Sequence, residues 1–211
     1  MAKLYNHLLG RLRNPDEGDN GIEYSPLEHG EIEIVNGRLY EHKTLRVHYT
    51  TYDLRRDYDL INPSKQANVM SVGHDIDIST GISDIGHPFL YAQVLKIFHA
   101  DIFYTPPGSK PSLHSMEFLF VRWYRQDKSI KTGFQQRRLH RLSFIPTSDS
   151  SAFGFLNPDD VVRASHIIPA WSFKRTDEYL TGATLARPKG EPDDWARLYI
   201  NWYVPLLHNS P

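Results

Sequence analysis

The chain has 211 residues, 40% of them hydrophobic and 23% charged, which is ordinary for a globular protein and gives room for one sizeable core but not for two full domains. The formal net charge of −1 excludes a whole-molecule field that would draw the protein to nucleic acid or to an anionic membrane. The sequence contains no cysteine, which excludes disulfides, thiolate catalysis and thiolate metal sites.

The small net charge hides an uneven distribution along the chain. Residues 1–42 carry four basic and eight acidic side chains, whereas residues 43–156 carry 14 basic and 10 acidic ones. The N-terminal residues lack the apolar stretch of a signal peptide, and no apolar run approaches the ~20 residues that span a bilayer. We therefore expect an intracellular protein outside the membrane, with its positive charge in the middle of the chain.

The first part of the chain predicts a polar arm followed by short strands. Residues 1–30 are punctuated by Asn, Pro and Gly, which predicts a flexible acidic arm that could contain a short helical turn at Leu4–Leu12. The alternating segment 31–40 contains Asn36-Gly37 between two strand-like runs, which is the strongest short signal for a hairpin. Residues 44–52, rich in Thr and Tyr, predict another strand.

The segment before the middle of the chain is less regular. Residues 53–64 are charged and end in Asn-Pro, which indicates a loop or a short helix. Residues 68–72 have the composition of a strand. Residues 73–88 are rich in Gly and Asp and predict a long loop, which in a compact domain is functional or disordered.

Three aromatic and β-branched runs in the middle predict a small antiparallel barrel. Turn-forming loops separate these runs, which lie at 89–98, 116–125 and 137–145. We expect the first two runs to pair. The residues expected in the core are Val94, Ile97, Leu119 and Val121.

The last part of the chain predicts a helix start, a final barrel strand and a docking segment. Asn157 and Pro158 are typical of a helix N-terminus, and residues 166–171 predict the last barrel strand. A polar connector then leads to 197–204, a terminal strand or short helix that must dock. The predicted fold is mostly β, a small SH3-like antiparallel barrel with extended flanking arms. Its units are an arm at 1–30, a barrel domain at 31–172 and a connector with its docking segment at 173–211.

Two groups of side chains are candidates for a binding site. Aromatic residues at a barrel mouth could form a cage for a methylated ammonium group, or they could belong to the core. These residues are Tyr91, Trp123, Tyr124 and Trp171. Basic residues within one strand–loop–strand segment could bind nucleic acid or an acidic partner, or they could form a solvated hairpin. These residues are Arg122, Arg125, Lys128, Lys131, Arg137, Arg138 and Arg141.

The sequence does not predict an enzyme. It has no Gly-rich phosphate loop, no Gly-x-Ser-x-Gly and no His-Glu-x-x-His. The His74–Asp77 segment and the trio Asp53, Asp57 and Asp59 are weak candidates for a metal site, because a polar loop and local ion pairs explain them. We assign no metal and no cofactor, and a metal-dependent enzyme is the least favoured alternative.

Part of the chain resembles the bromo-adjacent homology (BAH) domain. Three segments carry this resemblance: Tyr91–Phe98, Phe120–Arg125 and Val161–Ile168. The first two are similar to the family's strand near Tyr-x-Ala-x-Ile and its following strand near Val-Arg-Trp-Phe-x-Arg. The resemblance covers about residues 87–172, and it implies a BAH-like β-barrel that binds a chromatin-type protein partner.

A longer stretch, from Arg38 to Val204, resembles a segment widespread in mushroom-forming fungi and similar to C-terminal regions of CACTA-type transposon proteins. Its matching motifs include Arg46–Asp57, Arg137–Arg141 and Ala152–Leu156. This resemblance implies a transposon-derived protein and supplies no catalytic residues. We therefore expect a nuclear, non-enzymatic interaction module that binds a protein such as a histone tail or a transposase. The alternative is a nucleic-acid-binding accessory domain, and the oligomeric state is not predicted.

Overall fold

The protein is described by a computed structural model that covers residues 1–15, 21–51, 53–65, 67–72, 89–132, 136–182, 184–187 and 190–201. The predicted loop at 73–88, with its metal candidate His74–Asp77, lies outside the described residues. The helices within them are α1 (Ala2–Arg13) and α2 (Pro26–His29). The strands are β1 (Ile32–Ile34), β2 (Tyr40–His42), β3 (Leu45–Thr50), β4 (Arg56–Ile61), β5 (Asn68–Val72), β6 (Phe89–Tyr104), β7 (Ser112–Gln126), β8 (His140–Phe144), β9 (Phe153–Leu156), β10 (Val161–Ala164), β11 (His166–Pro169), β12 (Arg175–Thr176), β13 (Asp194–Trp195) and β14 (Leu198–Asn201).

Two long strands, β6 and β7, organise the fold. They pair antiparallel, with one register shift between Val94 and Lys96. This confirms the predicted pairing of 89–98 with 116–125. Both strands are longer than predicted, because apolar residues continue to alternate past His99 on β6.

The two edge strands of the main sheet, β10 and β11, are consecutive in the chain. The strand order is β10-β5-β6-β7-β8-β14-β11, with β1 and β2 also paired to β6 and β9 also paired to β7. The end strands β10 and β11 are separated in the chain by Ser165 alone, so one bent extended segment joins both edges. The prediction of a mostly β, antiparallel fold is confirmed. The described ladders form a path and do not pair β10 with β11, so no closed hydrogen-bonded barrel is present among them.

Three apolar clusters hold this sheet. The hairpin cluster lies between the sheet and the β3–β4 hairpin and contains Val47, Ile61, Val69, Ala92, Val94, Ile97, Leu119, Val121, Leu156 and Val161. The helix cluster lies under α1 and contains Leu4, Leu8, Leu9, Ile32, Ile34, Ala100, Ile102, Met116 and Phe118. The aromatic cluster contains Tyr91, Tyr124, Leu142, Phe144, Tyr179, Leu198 and Ile200. All four predicted core residues are in the hairpin cluster and buried, which confirms that prediction.

The N-terminal segment contains a helix, α1, that includes the turn predicted at Leu4–Leu12, but this helix is not part of a flexible arm. Instead, α1 buries Leu4, Leu8 and Leu9 in the helix cluster. The spacing of these leucines places them on one face of a helix, and that face covers the β6–β7 pair. Although most residues of the segment are polar, burial of its leucines stabilises the helix against the sheet, and α1 is therefore part of the core.

The Asn36-Gly37 turn does not join a hairpin. Both residues have positive φ, 55° and 61°, as the dipeptide favours. However, β1 and β2 pair with β6 and not with each other. The hairpin prediction is wrong, because β6 is long enough to pair with both short strands while the turn loops out between them.

The charged segment 53–64 is also not a loop or helix, because residues 56–61 form β4 and pair with β3 along its full length. The predicted helix start at Asn157 is a single 3-10 turn, capped by the Asn157 side chain and followed directly by β10. The predicted docking segment 173–211 supplies β14, which pairs with β8 on one side and β11 on the other. The last strand is therefore internal to the sheet.

Candidate binding surface

The four aromatic residues predicted as a cage do not converge. Tyr91 and Tyr124 are 3% and 8% exposed and pack in the aromatic cluster. Trp123 packs against the hairpin cluster, and its Nε1 lies 2.8 Å from the point where a Cβ at Gly154 would stand. Trp171 is 68% exposed at the surface. The core interpretation therefore fits three of the four residues, and Trp171 faces solvent alone.

The seven basic residues divide into two groups. Arg122 is fully buried and forms a bidentate ion pair with Asp194, with N–O distances of 2.9 and 2.8 Å. Arg141 pairs with Asp127, with its Nε 2.8 Å from Oδ2. The other five side chains are exposed and, within the described residues, form no side-chain hydrogen bond or salt bridge. We call them the basic tip: Arg125, Lys128, Lys131, Arg137 and Arg138.

Asp127 is the acidic residue inside the basic tip, and its charge is already paired. It follows the last residue of β7 and accepts hydrogen bonds from the Ser129 backbone at 2.9 Å, from Arg141 at 2.8 Å and from Arg197 at 3.1 Å. Burial raises the pKa of Asp127, but the bonds from Ser129 and Arg141 outweigh this and lower the pKa to about 2. The carboxylate is therefore ionised at neutral pH, and two arginines compensate it without using the tip cations.

Two exposed aromatic residues lie on a single 3-10 turn that follows β11, and one of them, Phe173, is linked to the connection that carries the basic tip. We call this turn, Trp171–Phe173, the aromatic turn. Phe173 is 41% exposed, and the Arg141 guanidinium carbon lies 4.9 Å from its ring centroid. Arg141 also donates to the Ser129 side chain at 3.0 Å, so one guanidinium connects the turn to the tip. Phe173 was not among the predicted site residues, although its spacing of two from Trp171, next to Lys174 and Arg175, was a signal for it.

The aromatic turn ends in a strained backbone conformation. Lys174 has φ 60° and ψ −167°, a region that is essentially restricted to glycine and costs about 1–3 kcal/mol. Its amide donates to the Trp171 carbonyl at 3.1 Å, and its carbonyl accepts from the Ala196 amide at 3.1 Å. At the other end, the Ala170 amide donates to the Arg197 carbonyl at 3.0 Å. The neighbouring C-terminal segment therefore holds the turn in place.

The buried Arg122 belongs to an ion triad that fastens this C-terminal segment to β7. Asp194 also accepts a hydrogen bond from Arg187 at 3.3 Å, and Arg187 donates to the Gly182 carbonyl at 2.8 Å. The Arg122 guanidinium carbon lies 3.6 Å from the Phe144 ring centroid. Burial raises the pKa of Asp194, but the two guanidinium groups outweigh it and hold the pKa below its usual value. The triad is buried and therefore serves the fold rather than a ligand.

Two of the three acidic residues Asp53, Asp57 and Asp59 form ion pairs, and Asp57 accepts a hydrogen bond from the Tyr49 hydroxyl at 3.3 Å. Asp59 accepts from Arg163 at 3.1 Å, and Asp53 lies 2.9 Å from Arg55. No group of three or more His, Asp or Glu side chains in the described ranges is placed to hold a metal ion. Likewise, no helix in the part that the structure describes is long and apolar enough to cross a membrane.

The candidate surface thus consists of the basic tip and the aromatic turn, joined through Arg141. It presents positive charge and exposed aromatic rings on adjacent loops. No family model, curated protein or solved structure matches the chain.

Proposed function

We propose that the protein is a non-enzymatic interaction module that binds nucleic acid through the basic tip. The observation that carries the proposal is a set of five exposed cations that form no side-chain hydrogen bond or salt bridge among the described residues. Four of them lie on the connection between β7 and β8, and Arg125 lies near the end of β7, where its charge also acts on Asp149. Asp127, the acid within this connection, is already paired with Arg141 and Arg197. The tip cations are therefore free to bind phosphate groups.

Lys and Arg side chains can bind the phosphate oxygens along a strand, and such contacts fix the position of the nucleic acid without depending on its sequence. Each phosphate that is neutralised releases counterions, so the affinity falls as the salt concentration rises. Because the formal net charge of the protein is −1, the rest of the molecule adds no long-range attraction. The salt dependence of binding should therefore come from the basic tip.

A second candidate is an acidic protein partner, and the net charge of −1 favours it. A local group of cations on a nearly neutral molecule can steer an acidic protein patch toward it. The resemblances to BAH domains and to transposon proteins support a chromatin-type partner or a transposase. Both proposals imply that the protein acts in the nucleus.

The first experiment compares variants of the basic tip with a matched control. The triple variant K128A/K131A/R138A should bind labelled DNA and RNA oligonucleotides more weakly than the unmodified protein. The slope of log affinity against log salt should fall by about one for each phosphate contact that is lost. Fluorescence anisotropy at several salt concentrations measures both quantities.

The control is K110A, which removes an equally exposed cation from the loop between β6 and β7. The 15 residues of β7 place Lys110 roughly 45 Å from the tip, at ~3.3 Å per residue. An equal loss of affinity in K110A would contradict a localised site. If the unmodified protein binds no nucleic acid at low salt, the nucleic-acid proposal fails and the acidic protein partner takes its place.

A further inference from the structure

Trp171 is unusually exposed for its residue type. Trp is a highly buried residue type on average, and Trp123 and Trp195 in this chain are each partly buried. Trp171 instead leaves 68% of its surface in solvent, and Phe173 beside it leaves 41%. Two large rings on one short turn therefore offer apolar surface that the described residues leave exposed.

The backbone holds these rings in a fixed place. The Lys174 conformation, which is unfavourable for a residue with a Cβ, closes the turn. Hydrogen bonds from Ala170 and to Lys174 fasten both ends of the turn to the segment around Arg197. Strain of this kind persists where the surrounding structure enforces it, and it is concentrated at ligand sites.

The turn that carries Trp171 is joined to positive charge through the Phe173 ring. The Arg141 guanidinium lies on the Phe173 ring and also binds Ser129 in the connection that carries the basic tip. Exposed aromatic rings next to a row of cations are what proteins use to bind single strands, because bases stack on the rings while phosphates pair with the cations. Bases in a duplex are stacked on each other and are not available to such a ring.

We infer that Trp171, with Phe173, is a stacking platform for the unpaired bases of single-stranded nucleic acid whose phosphates lie on the basic tip. This inference rests on the proposed function and adds a substrate class to it. Stacking involves the face of a base, which every base has, so the platform selects single strands over duplexes with little regard to sequence. The salt dependence of the affinity should come from the cations of the basic tip and not from the aromatic rings.

Three substitutions of Trp171 in the full chain separate stacking from general apolar contact. W171A should weaken binding of a labelled single-stranded DNA or RNA of mixed sequence by about 5- to 150-fold, which corresponds to one lost stack. W171F keeps an aromatic ring and should retain most of the affinity. W171L keeps apolar bulk without a π face and should bind as weakly as W171A. The salt slope should be the same in all three.

A duplex of the same sequence is the second ligand, and its affinity should not change in any of these variants. L113A is the matched control, because Leu113 is 61% exposed at the opposite end of β7 and should affect neither ligand. Melting curves should coincide for all variants, since both side chains are exposed.

The outcomes distinguish the platform from the proposed function. If W171A binds single strands normally, or if W171L binds as well as W171F, the stacking platform is overturned while the basic tip stands. An equal loss of duplex and single-strand binding in W171A also overturns it. If the unmodified protein binds neither ligand at low salt, the proposed function and the platform fail together.

Discussion

At the scale of single residues, Arg122 shows most clearly what the sequence conceals. In the sequence it belongs to a basic run, but in the structure it is buried and paired with Asp194, which lies 72 positions later. No local pattern indicates a partner at that distance. Most of the cations that remain exposed lie on the connection after β7, where solvent is available, whereas a cation whose side chain enters the core, as that of Arg122 does, must find a counter-charge.

The ion triad leads to a prediction about stability. D194N leaves two buried guanidinium groups without a counter-charge and should lower the free energy of unfolding by about 3–5 kcal/mol. Urea denaturation measures this, and D193N, which changes the adjacent acid, should cost far less. The double variant R122L/D194L should cost less than the sum of its single variants, because it removes both charges of the pair. A D194N loss no larger than that of D193N would show that the triad does not stabilise the fold.

The stability difference between the wild type and D194N should depend on pH. Asp194 has a lowered pKa in the folded protein, against about 3.9 in an unfolded chain. The stability that it contributes is therefore complete above about pH 4 and is lost as the pH falls toward the folded pKa. The difference in urea midpoint between wild type and D194N should be constant near neutral pH and should shrink below about pH 4. A difference that grows with acid would contradict the assigned direction of the shift.

At the scale of elements, α1 shows the largest difference between the structure predicted from sequence and the structure observed. Leu8 is fully buried in the helix cluster, whereas Leu27 on α2 is 89% exposed. L8A should therefore lower the free energy of unfolding by about 2–5 kcal/mol, because it leaves a cavity against the sheet. L27A deletes the same side-chain atoms at a position that is exposed to solvent, so it should hardly change the free energy of unfolding. Equal and small losses in denaturant melts would mean that the N-terminal residues are a flexible arm after all.

The strands that the sequence predicted correctly share one property, a long run of alternating or β-branched apolar residues. β6 and β7 show this property most clearly, and β3, β5, β8 and β11 also lie within segments that were predicted as strands. β4 was misread because Arg56, Asp57 and Asp59 obscure its period of two, although Asp59 is held in a specific ion pair with Arg163. The Asn36-Gly37 turn was recognised, but the strand that pairs with β1 and β2 was not. Both pair with β6, which is long enough to accept them, and no local pattern indicates that.

At the scale of the whole molecule, the binding surface depends on the segment 194–201, which contacts both the aromatic turn and the connection after β7. The aromatic turn follows β11, the basic tip follows β7, and both are fastened by residues between 194 and 201. The sequence identified the tip cations and Trp171 separately, because each is visible in composition. It did not bring them together, because their adjacency depends on β14 entering the sheet between β8 and β11.

This arrangement predicts that the barrel domain assigned from sequence, residues 31–172, does not fold alone. That fragment lacks α1, which covers the helix cluster, and it lacks β14, an internal strand of the sheet. It also leaves Arg122 buried without Asp194. We therefore expect no cooperative transition in urea and no sharp melting by circular dichroism, whereas the full chain should unfold in one transition. A fragment that unfolds cooperatively at a midpoint near that of the full chain would show that the sheet is complete without its C-terminal strand, and the coupling of the aromatic turn to the basic tip would then need another explanation.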